Sequence, residues 1–168
     1  MYKQKLKLMS VLSEINQGKM DNFDSRLYNQ KAILIIQNMG ISELNYNFGW
    51  YLRGPYSSEL TNDLFEAQPL LNLINKGDID KDLIARDKSV LSKFKSLLVD
   101  LEAVKPNNKS ITSKLEYIAS ISFIARRLDS AQKKLLVLNF IKKSKWHLSN
   151  WPADEYWRIA EKYALTEI

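Results

Sequence analysis

The 168-residue sequence contains no cysteine, one histidine and only five glycines. The absence of cysteine excludes disulfide bonds, zinc–thiolate sites and a cysteine nucleophile. The single histidine, His147, excludes a cluster of histidine ligands. Neither a Walker motif nor a dinucleotide-binding fingerprint is present. The sequence therefore predicts no catalytic residues, no metal site and no cofactor.

Long hydrophobic runs are also missing. No stretch approaches the roughly 18 apolar residues that a membrane helix requires. Residues 1–12 lack the apolar block of a signal peptide. We therefore expect a cytoplasmic protein with no membrane partner. The chain is 45% hydrophobic and 26% charged, which is typical of globular proteins, and its length fits a single domain over 1–168.

Apolar residues recur at helical spacing over most of the chain. Helices are expected at about 3–15, 24–39, 58–66, 88–104, 110–128, 129–144 and 152–166, with a shorter piece at 70–74. Asp24 or Ser25 is the expected cap of the second helix and Ser57 or Ser58 that of the third, where Pro69 should end the helix. We therefore predict a mainly α fold, a multi-helix bundle with a small β element, with a core at about 1–76 and a helical extension at about 78–168.

One segment, Leu44–Arg53, alternates apolar and polar residues, which indicates an extended strand. The apolar residues of this alternation should share one buried face; they are Leu44, Tyr46, Phe48, Trp50 and Leu52. A lone strand leaves hydrogen-bonding groups unpaired. Its partner would be a short strand, for which Asp78–Ile84 is the candidate, or a second copy in a homodimer.

The residues around this strand resemble a known family. Leu27–Gly40 reads LYNQKAILIIQNMG and Tyr46–Leu60 reads YNFGWYLRGPYSSEL. A glutamine-lysine pair before an apolar run, an aromatic strand, and a glycine-proline-tyrosine-serine turn leading into a helix are similar to the YwgA-like proteins of bacteria and archaea. The resemblance extends more distantly to the SocA-like Panacea antitoxin domain, and it covers roughly residues 25–65.

The resemblance implies a helix-turn-helix or winged-helix-like core and a binding module rather than an enzyme. Such proteins accompany mobile elements or toxin–antitoxin loci. The family pattern would place a wing-like strand pair after the third helix, whereas this chain continues into Asp78–Val104, which is charged and reads as helical.

The turn before the third helix is a candidate anion or partner site. The helix N-terminus at Ser57, next to Arg53 and Tyr56, would bind an anion such as phosphate. The same residues also fit a purely architectural turn, because glycine permits an unusual backbone angle and proline fixes φ. The nearby aromatic residues favour core packing over base stacking, because few cations accompany them.

A second candidate site lies between residues 126 and 145, where Asp129 is the one acidic residue and the excess of positive charge equals the net charge of +6. Its cations are Arg126, Arg127, Lys133, Lys134, Lys142, Lys143 and Lys145. These cations are candidates for binding the phosphates of a nucleic acid. The alternative is that they form a solvated helix face with no binding role. Trp146, Trp151 and Trp157 follow, and they would either bind a partner or anchor the last helix.

These patterns favour a non-enzymatic regulatory or interaction protein that is associated with nucleic acid. The alternative is a protein-binding module, such as an antitoxin or a mobile-element accessory factor. An enzyme that uses carboxylates alone is a third and weaker hypothesis, because Asp100 and Glu102 lie on the solvent side of a predicted helix.

Overall fold

The structure is a computed structural model that describes residues 2–15, 20–41, 43–73 and 83–168. Over these ranges the chain forms seven α-helices, one short 3₁₀ helix and one antiparallel sheet of two strands. The prediction of a mainly α, multi-helix fold with a small β element is therefore confirmed. A helix-turn-helix or winged-helix-like core stays a prediction.

The helices follow one another along the chain, and the sheet lies between the second and third. They are α1 (Tyr2–Glu14), α2 (Phe23–Met39), α3 (Ser58–Leu71), α4 (Ala85–Ala103), α5 (Ile111–Ala125), α6 (Lys133–Ser144) and α7 (Ala153–Lys162). A 3₁₀ helix, Trp146–Leu148, separates α6 from α7. The strands are β1 (Gly49–Tyr51) and β2 (Gly54–Tyr56).

The core is built around α2 and α5. Both helices are buried on nearly every side, α2 continuously from Tyr28 to Ile36 and α5 over most of its length. Helices that are apolar all round belong in the interior of a protein. The two helices pack along each other, and α5 also contacts α4, α6, α7 and β2. Helices from both halves of the chain therefore share one core.

Side-chain oxygens cap the starts of α2, α3 and α5, and the cap of α2 differs from the prediction, whereas α6 and α7 begin without a side-chain cap. Ser57 caps α3 through its hydroxyl, as one of the two predicted candidates, and Ser110 caps α5 in the same way. The cap of α2 is Asn22, whose side-chain oxygen accepts a 2.8 Å hydrogen bond from the Ser25 amide. The prediction of Asp24 or Ser25 as cap was wrong because the helix begins one residue earlier, and these residues lie inside its first turn.

The predicted break at Pro69 was also wrong, because α3 continues through Pro69 to Leu71. A proline removes one helical hydrogen bond, here the bond to the carbonyl of Phe65. Phe65 is half exposed and Pro69 lies in the last turn of the helix, so water can reach the carbonyl that loses its partner.

The alternating segment is only partly a strand. Leu44, Tyr46 and Phe48 are buried as predicted, but Leu52 is 83% exposed. The ladder is confined to β1, which pairs with β2 so that Trp50 lies opposite Pro55. Residues 78–82 of the segment proposed as its partner, 78–84, lie outside the described part of the chain, and residues 83 and 84 are not in a strand.

Glutamine side chains of α2 complete the backbone hydrogen bonding of this segment. The Gln37 amide accepts from the Tyr46 N–H at 2.8 Å and donates to the Tyr46 carbonyl at 3.0 Å. The Gln30 amide does the same for Ser57, at 2.9 and 3.0 Å. The backbone groups of Tyr46 and Ser57 therefore have hydrogen-bond partners without a strand from a second copy of the chain.

Replacing Gly54 with alanine should lower the free energy of unfolding by about 1–3 kcal/mol. Gly54 has φ of 89°, and an added Cβ would lie 3.2 Å from both Lys31 Nζ and Ser120 Oγ. Urea unfolding followed by circular dichroism measures the change.

Gly49→Ala is the matched control in the same hairpin. Its new Cβ would approach the ring of Tyr51 at 3.1 Å, and that ring is exposed and can move. An equal loss of stability in the two variants would contradict the importance of the Gly54 conformation.

Candidate functional site

Two features meet at the hairpin formed by β1 and β2. Beneath it lies a buried polar cluster, which we define as Lys31, Glu116, Ser120, Lys145 and His147. Beside it lies an apolar groove between the hairpin, α2 and α3. Lys31 belongs to both, because it also lines the groove.

Two lysines of the polar cluster hold the hairpin by its carbonyls. Lys31 comes from the centre of α2 and is 1% exposed, and its Nζ donates a 2.6 Å hydrogen bond to the carbonyl of Pro55. Lys145 follows α6, and its Nζ donates to the carbonyls of Tyr51, at 3.0 Å, and of Leu52. Charged donors make stronger hydrogen bonds than neutral ones, so both sides of the turn are fixed.

Glu116 supplies the negative charge of the polar cluster from the middle of α5. Its Oε2 lies 3.0 Å from His147 Nε2 and 3.8 Å from Lys145 Nζ. Its other oxygen, Oε1, is buried without a hydrogen-bond partner among the described residues, as is the hydroxyl of Ser120. The buried carboxylate of Glu116 therefore contacts His147 and Lys145 directly.

This environment changes the acidity of the lysines. Burial lowers the pKa of Lys31, Glu116 opposes this effect and the nearby cations Lys145 and Arg53 add to it, so that the pKa is about 7. Burial also lowers the pKa of Lys145, again opposed by Glu116. A lysine in such a site changes its charge near neutral pH.

Sequence reasoning did not find the polar cluster. Its members are far apart in the chain, and His147 was interpreted as an isolated residue. The available signal was the presence of Lys31 and Glu116 beside the apolar runs of α2 and α5, because a charge at such a position is buried and must be paired.

The groove has a volume of about 460 Å³, within the range of ligand-binding pockets. Most of its wall is apolar. It is lined by Met20, Phe23, Arg26, Leu27, Gln30, Lys31, Tyr51, Leu52, Arg53, Gly54, Tyr56, Thr61 and Phe65.

Several large apolar side chains of the groove are exposed. Phe23, Tyr51 and Phe65 are each about half exposed, and Leu52 at the hairpin tip is almost fully exposed. Tyr51 packs edge-on against Tyr56 with ring centres 5.2 Å apart. A contiguous apolar surface that is exposed on a folded chain marks an interaction site.

The proposed anion site is not assembled as predicted. Arg53 and Tyr56 line the groove, with the Arg53 guanidinium 5.9 Å from the ring centre of Phe23. Ser57 is buried, because Gln30 binds its backbone and its hydroxyl caps α3. Ser57 therefore serves the fold, and Arg53 and Tyr56 belong to a different surface.

Most cations of the basic window are engaged within the chain. Lys145 is buried and cannot reach a nucleic acid on the surface. Arg126 donates to the carbonyls of Asn38 and Glu167, and Lys133 pairs with the Glu167 carboxylate at 2.9 Å. Such contacts neutralise or fix charges that the sequence assigns to a binding face.

The remaining cations differ in how far they are available. The Arg127 guanidinium lies over the ring of Phe123 at 3.6 Å, and Lys134 pairs with Asp154 at 3.1 Å on the surface. Lys142 and Lys143 are exposed and form no ion pair with any described residue. Two of the seven predicted cations thus remain fully available at the end of α6.

The tryptophans divide in the same way. Trp157 is buried, and Trp151 packs near Tyr117 and Tyr156 with ring centres 5.9 and 5.6 Å away. These two anchor α7 to the bundle. Trp146 is 80% exposed and is the member of the trio that a partner could contact.

Within the described ranges, no three histidine or carboxylate side chains come close enough together to hold a metal ion. Over the same residues, no helix combines the length and apolar character that crossing a membrane requires. No family model, no curated protein and no solved structure matches the chain.

The acidity of Lys31 predicts that stability rises with pH. In the unfolded chain Lys31 keeps its proton up to its ordinary pKa of about 10.4, whereas in the folded state it releases the proton near pH 7. Between these values the unfolded state binds more protons, so the free energy of unfolding increases by up to about 1.4 kcal/mol per pH unit.

Urea unfolding from pH 7 to about pH 9.5 measures this slope, and the upper limit avoids buried tyrosines whose raised pKa values reverse it. Lys31→Met should remove most of the slope, leaving the smaller contribution of Lys145. The surface control Lys142→Met should retain it. A wild-type stability that is flat over this range would contradict the buried position of the Lys31 amine.

Proposed function

We propose that this protein is a non-enzymatic interaction protein that binds a protein partner through the groove beside the hairpin. The observation that carries the proposal is the exposure of Phe23, Tyr51, Leu52 and Phe65 around one concave apolar surface. Aromatic and apolar side chains at the centre of a patch provide most of the energy of protein association.

The polar cluster supports a binding role rather than catalysis. The ammonium groups of Lys31 and Lys145 are occupied by the carbonyls of the hairpin. Each lysine therefore positions the turn, and through it the exposed Leu52. A surface that is held rigid before binding loses less conformational entropy when the partner arrives.

The apolar surface continues from the hairpin towards α6. Trp50 of β1 lies 5.4 Å from Phe140 of α6, measured between ring centres, and Phe140 is half exposed. Leu135 and Leu136 of the same helix are also exposed. The resemblance to YwgA-like proteins and Panacea antitoxins, which is a sequence prediction, points to the same kind of activity.

The double variant Leu52→Ser, Phe65→Ser should lose its partner. Affinity capture from an extract of the source cells, with quantitative mass spectrometry, should find proteins retained by the wild type and reduced at least about tenfold on the variant. Both residues are exposed, so the fold should persist, which circular dichroism checks.

Val99→Ser is the control, because Val99 is an exposed apolar residue on α4, outside the groove. Its capture profile should equal that of the wild type. If the double variant retains every protein that the wild type retains, the groove is not the binding surface.

Association with nucleic acid is the second candidate function. It is favoured by Lys142 and Lys143, which are exposed close to the exposed Trp146. An aromatic side chain beside cations can stack on a base while the cations contact phosphates. It is the weaker candidate because Lys145 is buried and four other cations of the window have contacts within the chain.

The salt dependence of DNA binding separates the two candidates. Each phosphate neutralised contributes about −0.9 to the slope of log K against log salt, so two available lysines give a slope of about −2 and seven cations about −6. Fluorescence anisotropy with a labelled mixed-sequence duplex measures this slope.

We expect weak binding with a slope near the smaller value, and a flat response in Lys142→Gln, Lys143→Gln. Tight binding with a slope close to that for seven cations would contradict the protein-binding assignment and restore nucleic acid as the partner.

A further inference from the structure

The groove carries charge of one sign. Its lining includes two arginines, Arg26 and Arg53, together with Lys31 of the polar cluster, whose pKa is about 7, and no aspartate or glutamate from the described residues. Arg53 is exposed and Arg26 is half-buried, and neither forms an ion pair with a described residue. One nitrogen of Arg26 donates to the Met20 carbonyl at 3.1 Å, which leaves other N–H groups of its guanidinium for a ligand.

The acidic residues at the start of α2 form hydrogen bonds with residues outside the groove. Asp21 accepts a hydrogen bond from Gln68, and Asp24 accepts one from Thr112 on α5, each at 3.1 Å. The positive charge of the groove is therefore not balanced by the carboxylates that precede α2 or lie in its first turn.

A partner that covers the groove removes water from the two guanidinium groups. Burying a charge without a counter-charge is strongly unfavourable. A purely apolar partner would leave both arginines unpaired, and a basic partner would add repulsion. Carboxylates arranged beside apolar side chains match both properties of the surface, and the planar guanidinium binds a carboxylate through two hydrogen bonds.

We infer that the groove binds a short acidic amphipathic segment of a protein partner, an inference that rests on the proposed function. Apolar side chains of the segment occupy the cavity between Phe23, Leu52 and Phe65, and its carboxylates pair with Arg26 and Arg53. Lys31 forms the floor near Pro55 and adds positive potential without leaving its own hydrogen bond.

Selection from a displayed library of random 12-residue peptides tests the inference. The bait is the full chain, and the library is also passed over the Leu52→Ser, Phe65→Ser variant to define groove-dependent binders. We expect the enriched peptides to combine two or more large apolar residues with aspartate or glutamate. A representative peptide, made synthetically and fluorescently labelled, then gives dissociation constants by anisotropy.

Arg53→Glu should weaken binding of the acidic peptide at least about tenfold and should select basic peptides when the library is screened again. Arg158→Glu is the matched control, because Arg158 is an exposed arginine on α7 outside the groove. The affinity of this control should stay within about twofold of the wild type, since its charge is remote and screened by salt.

Three further results would overturn the inference in different ways. Groove-dependent peptides without acidic residues, unaffected by Arg53→Glu, would refute the acidic partner and leave the proposed function intact. The absence of any groove-dependent peptide would refute both. Analytical ultracentrifugation is the companion measurement: a dimer that Leu52→Ser, Phe65→Ser dissociates would identify a second copy as the occupant and would also overturn the inference.

Discussion

The shape of the groove depends on the hydrogen bonds from two buried ammonium groups to three carbonyls of one turn. Lys31 and Lys145 approach the hairpin from opposite halves of the chain and hold it against α5. Without them the carbonyls of Tyr51 and Pro55 would lose their donors. The groove has the hairpin as one wall, so its shape depends on contacts that are not themselves exposed to a partner.

The same use of lysine recurs elsewhere in the fold. Lys114 donates to the carbonyls of Leu101, in the last turn of α4, and of Val104, just after it, at 2.8 and 2.7 Å, and Lys7 forms a 2.6 Å ion pair with Asp87. All three charged side chains are buried. Among the described residues four lysines, Lys7, Lys31, Lys114 and Lys145, are therefore part of the interior, so a basic residue in the sequence does not by itself indicate a binding surface.

This explains which predictions succeeded. Helices and serine caps depend on neighbours three or four residues away, so periodicity and capping rules located them. The polar cluster depends on contacts between residues 31, 116 and 145, which no local pattern reveals. The groove was missed for a related reason: alternation predicted that Leu52 faces inward, but β1 ends at Tyr51 and Leu52 lies exposed in the turn. Local sequence does not distinguish an apolar residue that packs in the core from one that stays exposed on the surface.

The two glutamines of α2 have an evolutionary consequence. Gln30 and Gln37 are seven residues apart, which is about two helical turns, so they lie on the same side of the helix. Each glutamine amide makes the backbone hydrogen bonds that a neighbouring strand would otherwise make, Gln37 with Tyr46 and Gln30 with Ser57. An insertion or deletion between them would rotate one amide by about 100° and disconnect one end of the hairpin. Related chains can therefore vary in the identity of the residues between the two glutamines. The number of residues between them should stay the same.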